Sequence, residues 1–252
     1  MSAANAPSLK RQFPCSECPF KKNDSFIPMS ESEVDFMSDF KTGELQVQGG
    51  STFLVEGTNS PHLYTVLSGW GFRYKTLEDG RRQILNFILP GDFVGLQGSL
   101  IDEMQHSVEA LSDMLLCVFE RDSLPKLFKQ SPMLAYDVTW LAAREEQILD
   151  EHLLSIGRRS ALERAAYLIT FLSQRATRVG HLDEGQPLVP FTQNHVADTL
   201  GLSVVHTNKT LKKLQQRNLI EWSDKSCLVK DEEKLMVIAG WDGLPDVKRP
   251  YV

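Results

Sequence analysis

Hydrophobic and polar positions change their period along this 252-residue chain. From Phe40 to about residue 120, short apolar runs alternate with Gly, Pro, Asn and Asp, as in "STFLVEGTNSPHLYTVLSGWGFRYKTLEDGRRQILNFILPGDFVGLQGS" and then "DMLLCVFER". Many short strands at turn spacing predict an all-β sandwich or small barrel. Asp79-Gly80, between "FRYKTL" and "RQILNFI", predicts a hairpin with positive φ at both turn positions. "LPGD" at 89–92 predicts a second tight turn.

From Ser131 the period becomes helical. "SPMLAYDVTWLAAREEQILDEHLLSIG" opens on Ser131-Pro132, a cap followed by proline at the first helical position. Leu134, Val138, Leu141 and Ile148 recur at helical steps, and Gly157 marks a stop. Such a helix, about 25 residues long, is either a buried core element or half of a two-stranded coiled coil. A second helix, "SALERAAYLITFLSQRA", carries Leu162, Ala165, Ala166, Ile169 and Leu172 on one side, and "RVGHLDEGQPLVP" reads as a loop.

The pattern sharpens at "FTQNHVADTLGLSVVHTNKTLKKLQQRNLIEW". Thr192 caps a short helix, Gly201 supplies the turn, and Ser203 caps a second helix running to about Arg217. Ala197 followed four positions later by Gly201 is the helix-turn-helix spacing: the small side chain admits close approach and glycine tolerates the bend. "NLIEW", "SDKS" and "CLVKD" read as strand, turn and strand of a wing.

Charge then singles out one element. The chain carries a net charge of −6, which argues against wholesale coating of nucleic acid. Yet Lys209, Lys212, Lys213 and Arg217 cluster on the second helix, with no acid from Ser203 to Arg217. That places positive charge where phosphates would lie. No apolar run reaches the roughly 18–20 residues that span a bilayer. "MSAANAPSLKRQF" has no apolar stretch behind its basic pair, and four scattered cysteines suit a reducing compartment, so a cytoplasmic protein is expected. The histidines at 62, 106, 152, 181, 195 and 206 are scattered without an H-x-H, and no Ser/His/Asp set or phosphate loop is visible, so no enzyme is expected. Cys15 and Cys18 form a C-x-x-C without a second close pair, a spacing shared by zinc, redox and iron–sulfur motifs.

The order of parts, with "PGDFVG" in the roll, "ALERAAYLITFL" and "VADTLGLSVVHTNKTLKKLQ", resembles the CRP/FNR family of bacterial transcription regulators from about Cys15 to the wing. The resemblance implies an α+β fold: an N-terminal segment (1–39), a cyclic-nucleotide-binding-like β-roll (40–130), a dimerisation helix (131–156) and a winged helix-turn-helix (157–252). It implies a homodimer through Leu134, Val138, Leu141 and Ile148, binding a palindrome in double-stranded DNA and contacting RNA polymerase. Ser203, Val205, His206, Asn208, Lys209, Lys212 and Lys213 are the expected DNA-binding residues. The FNR branch reads bases with Glu-x-x-Ser-Arg; here those positions are Val205, Asn208 and Lys209. Val205 offers apolar contact only, Asn208 suits adenine, and Lys209 reaches guanine with less geometric precision than arginine. Thr207 and Thr210 stand where the motif is usually apolar.

For an effector, the glutamate and Arg-Ser pair that hold cyclic AMP in relatives correspond here to Leu96 and His106-Ser107. Cyclic AMP is therefore not expected, and His106 reads as an ordinary surface histidine. Along the Cys-x2-Cys-x5-Cys pattern of oxygen-sensing relatives, Cys15 and Cys18 match, Asp24 falls on the third position and Cys117 on the last, while Cys227 has no place. The resemblance so implies a [4Fe–4S] cluster with one hard carboxylate ligand. The alternatives are a thiol switch without a cluster, a small-ligand-binding module, or a structural loop with Cys117 as a buried hydrophobe.

Overall fold

A computed structural model describes residues 13–180, 188–223 and 226–252. Two four-stranded antiparallel sheets face one another to form the roll. One is built from β1 (Lys41–Val47), β8 (Met114–Glu120), β3 (His62–Ser68) and β6 (Phe93–Val94), in that order. The other holds β2 (Thr52–Leu54), β7 (Ser107–Ala110), β4 (Gly71–Thr76) and β5 (Arg82–Ile88). Val66, Val108, Leu116 and Val118 fill the space between them.

The two sequence-predicted turns differ in outcome. At 89–92 the turn is present: Asp92 N donates to Leu89 O at 3.0 Å, and Gly91 sits at φ 86°. A Cβ there would also lie 2.5 Å from the Phe26 ring, so glycine is required twice over. The β4–β5 connection is longer than the expected two-residue hairpin. Leu77 N bonds Arg81 O, and of the Asp79-Gly80 pair only Gly80 has positive φ. An Asp-Gly pair satisfies this wider loop with a single left-handed residue.

Helices cover the roll. α1 (Glu31–Phe40) starts at a capping box in which Ser30 and Glu33 exchange hydrogen bonds. α2 (Leu96–Ile101) follows β6, and α3 (Leu124–Gln130) leads into α4 (Pro132–Arg158). Ser131 precedes α4 without a side-chain cap, and the helix runs one residue past Gly157. α5 (Ala161–Arg178) begins at a second capping box, Ser160 with Glu163.

Next come β9 (Leu188–Val189), α6 (Gln193–Leu200), α7 (Val204–Gln216), β10 (Ile220–Trp222), β11 (Cys227–Val229) and α8 (Glu232–Ala239). The wing is three-stranded, in the order β10-β11-β9, because β9 emerges from what the sequence reads as loop. Parts of that loop and of the "SDKS" turn lie outside the described residues. One apolar cluster runs from Phe72, Ile84 and Phe87 of the roll through Ala165, Ile169 and Leu172 of α5 to Leu200, Leu211 and Leu214 of the helix-turn-helix.

After α8 the chain returns to the roll. Ile27 N bonds Arg249 O at 2.8 Å and Arg249 N bonds Ser25 O at 2.9 Å, a short parallel bridge. Tyr251 is buried edge-on to Phe20 and Phe26, and Thr65 Oγ1 donates to Val252 O. The winged half is thus fastened to the roll by α5 and by this C-terminal tail.

Candidate nucleic-acid interface

Local chemistry sets both helices of the helix-turn-helix. Thr192 Oγ1 accepts from His195 N, Gly201 closes α6 in the left-handed region at φ 64°, and Ser203 Oγ accepts from His206 N at 3.3 Å to open α7. α6 is the docked member. Asp198 accepts from Arg82 Nε at 2.9 Å and Thr199 O from Gln83 Nε2 at 2.9 Å, both from β5.

α7 is the presented member. Leu211 and Leu214 turn inward with Thr207 and Thr210, all buried. Thr210 Oγ1 donates to His206 O at 2.9 Å, so a local bond absorbs that hydroxyl, whereas Thr207 Oγ1 is buried without a partner among the described residues. Val205, His206, Lys209, Lys212 and Lys213 are exposed on the opposite side. The three lysines enter no ion pair among the described residues, whereas Asn208 is half-buried with its Oδ1 unpartnered. Ser203 commits its hydroxyl to the cap. What it offers a phosphate is the helix N-terminus it holds.

α4 is apolar on two faces. Leu134, Val138, Leu141 and Ile148 are buried inside the protomer, the first three against the roll and the N-terminal segment and Ile148 against α5. The interface expected from these four therefore needs correction: their surface is already removed from water. The outward face carries Met133, Tyr136, Trp140, Ala143, Gln147, Asp150 and Leu154, at alternating steps of three and four. Met133 is 63% exposed, Tyr136 64% and Leu154 50%. That spacing is the a/d repeat of a coiled-coil seam.

Between α4, the roll and the tail lies a cavity of about 980 Å³, lined among others by Leu96, Gln97, His106, Trp140, Arg144 and Arg249. His106 is only 4% exposed, which corrects its reading as a surface residue. Burial, with Arg73 and Lys75 nearby, pushes its pKa down to about 3, so it lines the cavity as a neutral ring. It does not supply the positive charge of a phosphate-binding arginine. Ser107 Oγ accepts from Glu56 N at 3.0 Å. Glu145 of α4 reaches the roll, accepting from Arg73 and from Asn86 Nδ2.

The cysteines divide. Cys15 opens the first of two short 3₁₀ turns and Cys18 joins them; both are half-buried and pack on the cluster that contains Cys117, Phe20, Phe26 and Tyr251. Beside them a buried Lys41–Glu44 pair (2.5 Å) holds the Phe13 backbone, with Lys41 Nζ on its carbonyl at 2.9 Å and its N–H on Glu44 at 3.0 Å. Burial raises the Cys18 pKa and pushes Cys117 up to about 12, where the thiol keeps its proton. Asp24 is exposed and lines the cavity instead. Among the described residues no three His, Cys, Asp or Glu side chains are placed to hold a metal ion. Of the implied [4Fe–4S] set, Cys15, Cys18 and Cys117 pack on one cluster, whereas Asp24 is exposed and lines the cavity, so the four side chains are not assembled as one ligand set in this arrangement. Cys227 is likewise buried, in β11.

Sequence alone missed the arginines around the cavity and the tail that brings Arg249 there. Their only local signal is the density of arginine in "SQRATRVG" and in "VKRPYV".

A β-roll joined through a long helix to a winged helix-turn-helix whose second helix is presented and basic defines a DNA-binding protein. Two family models match: the cyclic nucleotide-binding domain over residues 44–131 and the Crp-like helix-turn-helix domain over residues 163–238. FnrL of Cereibacter sphaeroides, a transcriptional activator protein, is 26% identical over 92% of this chain and 95% of its own length. The nitrogen fixation regulation protein FixK of Rhizobium meliloti is 30% identical over 69% of this chain and 76% of its own. The structure of FixK2 from Bradyrhizobium japonicum superimposes with a TM-score of 0.69 at 25% identity, covering 77% of this chain and 96% of that one. The chain belongs to the CRP/FNR family of transcription regulators.

Proposed function

We propose that this regulator acts as a cytoplasmic homodimer joined through Met133, Tyr136, Trp140, Ala143 and Leu154, with two α7 helices entering successive major grooves of a palindrome. The division into an N-terminal segment (1–39), roll (40–130), dimerisation helix (131–156) and winged domain (157–252) follows the same scheme. Val205, Asn208 and Lys209 read base edges, His206 contacts a base or a phosphate, and Lys212, Lys213 and the Ser203-capped helix end hold phosphates. RNA polymerase is the further partner by family likeness.

One observation carries this reading: three lysines without acidic partners among the described residues stand on the exposed face of a capped helix whose opposite face is buried. Lys209→Ala should cost roughly 1–3 kcal/mol at the cognate site, and Lys213→Ala should lower the salt slope by about one contact at every sequence. Selection from random DNA followed by titration at several salt concentrations tests this. Protein that prefers no palindrome over random DNA ends the reading.

A thiol-based signal is the second reading, supported by Cys15 and Cys18 packing beside Phe20, Phe26 and Tyr251, where the tail from the winged half docks. Alkylation of Cys15 or Cys18 should then change operator affinity. A Cys15→Ser/Cys18→Ser protein that stays sensitive to the same reagent would discard it.

A further inference from the structure

The chain after α8 is anchored twice, once on each half of the molecule. At its near end Leu244 N donates to Gln174 Oε1 at 2.8 Å, and Arg178 donates to the carbonyls of Leu244 at 2.8 Å and Pro245 at 2.5 Å. Gln174 and Arg178 belong to α5. Pro245, Asp246, Val247 and Lys248 then cross in the open, all exposed.

The far end is held in three ways. Its backbone is bridged: Ile27 N donates to Arg249 O and Arg249 N to Ser25 O, so the tail adds to the N-terminal segment as a strand would. Its charge is paired: Arg249 Nη2 meets Asp92 Oδ1 at 2.9 Å and Gly91 O at 2.8 Å, with the guanidinium 5.7 Å from the centre of the Phe26 ring. Burial works against the Asp92 carboxylate, but Arg175 and Arg249 outweigh it and hold its pKa below the ordinary value. Its aromatic side chain is pocketed: Tyr251, 4% exposed, stands edge-on to Phe20 at 5.2 Å and Phe26 at 5.6 Å, two rings that themselves stack at 4.6 Å.

Pro250, also buried, fixes φ between the charged anchor and the aromatic one. Arg249 and Asp92 border the cavity, whereas Phe20, Phe26, Tyr251 and Val252 belong to the cluster under the N-terminal segment. A strand-like bridge, a buried ion pair and an aromatic pocket within four residues are the means by which a protein surface reads a short extended peptide.

We propose that the roll and the N-terminal segment carry a recognition site for an extended Arg-x-aromatic peptide, and that residues 249–252 are its detachable ligand within the same chain. Fully extended, the five steps from Leu244 to Arg249 cover at most about 18 Å. While both ends are seated, the winged half is therefore held near the roll with α7 presented. Release spreads it over more orientations, few of which suit an operator, so apparent affinity falls with the seated fraction. The strap thus organises the winged half; this last step rests on the DNA-binding reading, whereas the peptide site does not.

The test is native-state hydrogen exchange on the full-length protein without DNA. In the wild type the amides of Ile27 and Arg249 should open together and at least about tenfold more often than those of β3 and β8, because detachment is local. Arg249→Gln/Tyr251→Ala should speed exchange at Ile27 a further tenfold or so and leave β3 and β8 unchanged. A synthetic peptide of residues 244–252, supplied at about millimolar concentration to match a tethered ligand, should restore protection at Ile27 in that variant. The same peptide carrying Arg249→Gln should not. Operator affinity of the double variant, measured separately, should fall about threefold or more. Opening of Ile27 only with global unfolding, unchanged exchange in the variant, or no rescue by the peptide overturns the site, and the wild-type measurement decides if the variant does not fold. Operator binding by the variant that is unchanged or tighter overturns the organising role. Because exchange is read without DNA, a wild type that prefers no operator would end the DNA-binding reading and leave the peptide site standing.

Discussion

The two faces of α4 have similar apolar content and opposite fates. Leu134, Val138, Leu141 and Ile148 are at most 9% exposed within a single protomer, whereas Met133 and Tyr136, one turn away or less, are more than half exposed. The inner face is aliphatic and fits between the roll and α5. The outer face mixes Tyr136 and Trp140 with Ala143, Gln147 and Asp150, a composition that suits the proposed contact between protomers. Burial rather than hydrophobicity is what separates a core face from a docking face.

The largest effect that distinguishes the two faces should come from Ile148→Glu. A carboxylate at this position, 7% exposed and packed against α5, would be desolvated without a partner. A loss of about 3–5 kcal/mol is expected, enough to unfold much of a marginal protein. Thermal and denaturant unfolding would measure it. A folded protein of near wild-type stability that had become monomeric would instead make the inner face the interface.

Tyr136→Glu places the same charge on the outer face and should leave the fold intact. In a symmetric dimer it brings two carboxylates into the seam, so association should weaken roughly a hundredfold, about 3 kcal/mol. Sedimentation across a concentration series reads this directly, and operator affinity should fall with it. An unchanged dimer would show that the exposed a/d positions are not the contact.

This ambiguity explains what the sequence made legible. A helix-turn-helix is written locally: Thr192, Ala197, Gly201 and Ser203 each act on neighbours within a turn, so caps, bend and the basic helix could be read from residue type and spacing. α1 is written just as locally, in Ser30 and Glu33 before Val34, Met37 and Phe40. Choosing between the two stripes of α4 needs the shape of the roll and of α5, which periodicity does not contain. The cavity is harder still. Arg144, Arg175 and Arg249 come from three elements spread over more than a hundred positions, and His106 looks exposed until β7, which follows it, pairs with β4. Two-residue β9 is too short to carry any pattern.

The smallest effect concerns His152, which sits on the inner face of α4 edge-on to Tyr167 and Phe171. Burial, aided by Arg175, Arg73 and Arg159, pushes its pKa down from 6.5 to about 4. The folded state therefore holds the neutral ring and binds a proton less readily than the unfolded chain does. Its contribution is complete above the unfolded value and is lost progressively as pH falls from about 6.5 towards 4. Near pH 5.5 the loss should be about 1 kcal/mol. His106, pushed down to about 3, adds a loss in the same direction, so wild-type stability alone does not isolate the residue. His152→Phe does, because phenylalanine can keep the edge-on ring contacts and cannot take a proton. Its unfolding free energy should fall less than that of wild type between pH 7 and pH 5.5, by about 1 kcal/mol. Parallel pH curves for wild type and His152→Phe would mean that the inner face is wetter than its burial indicates.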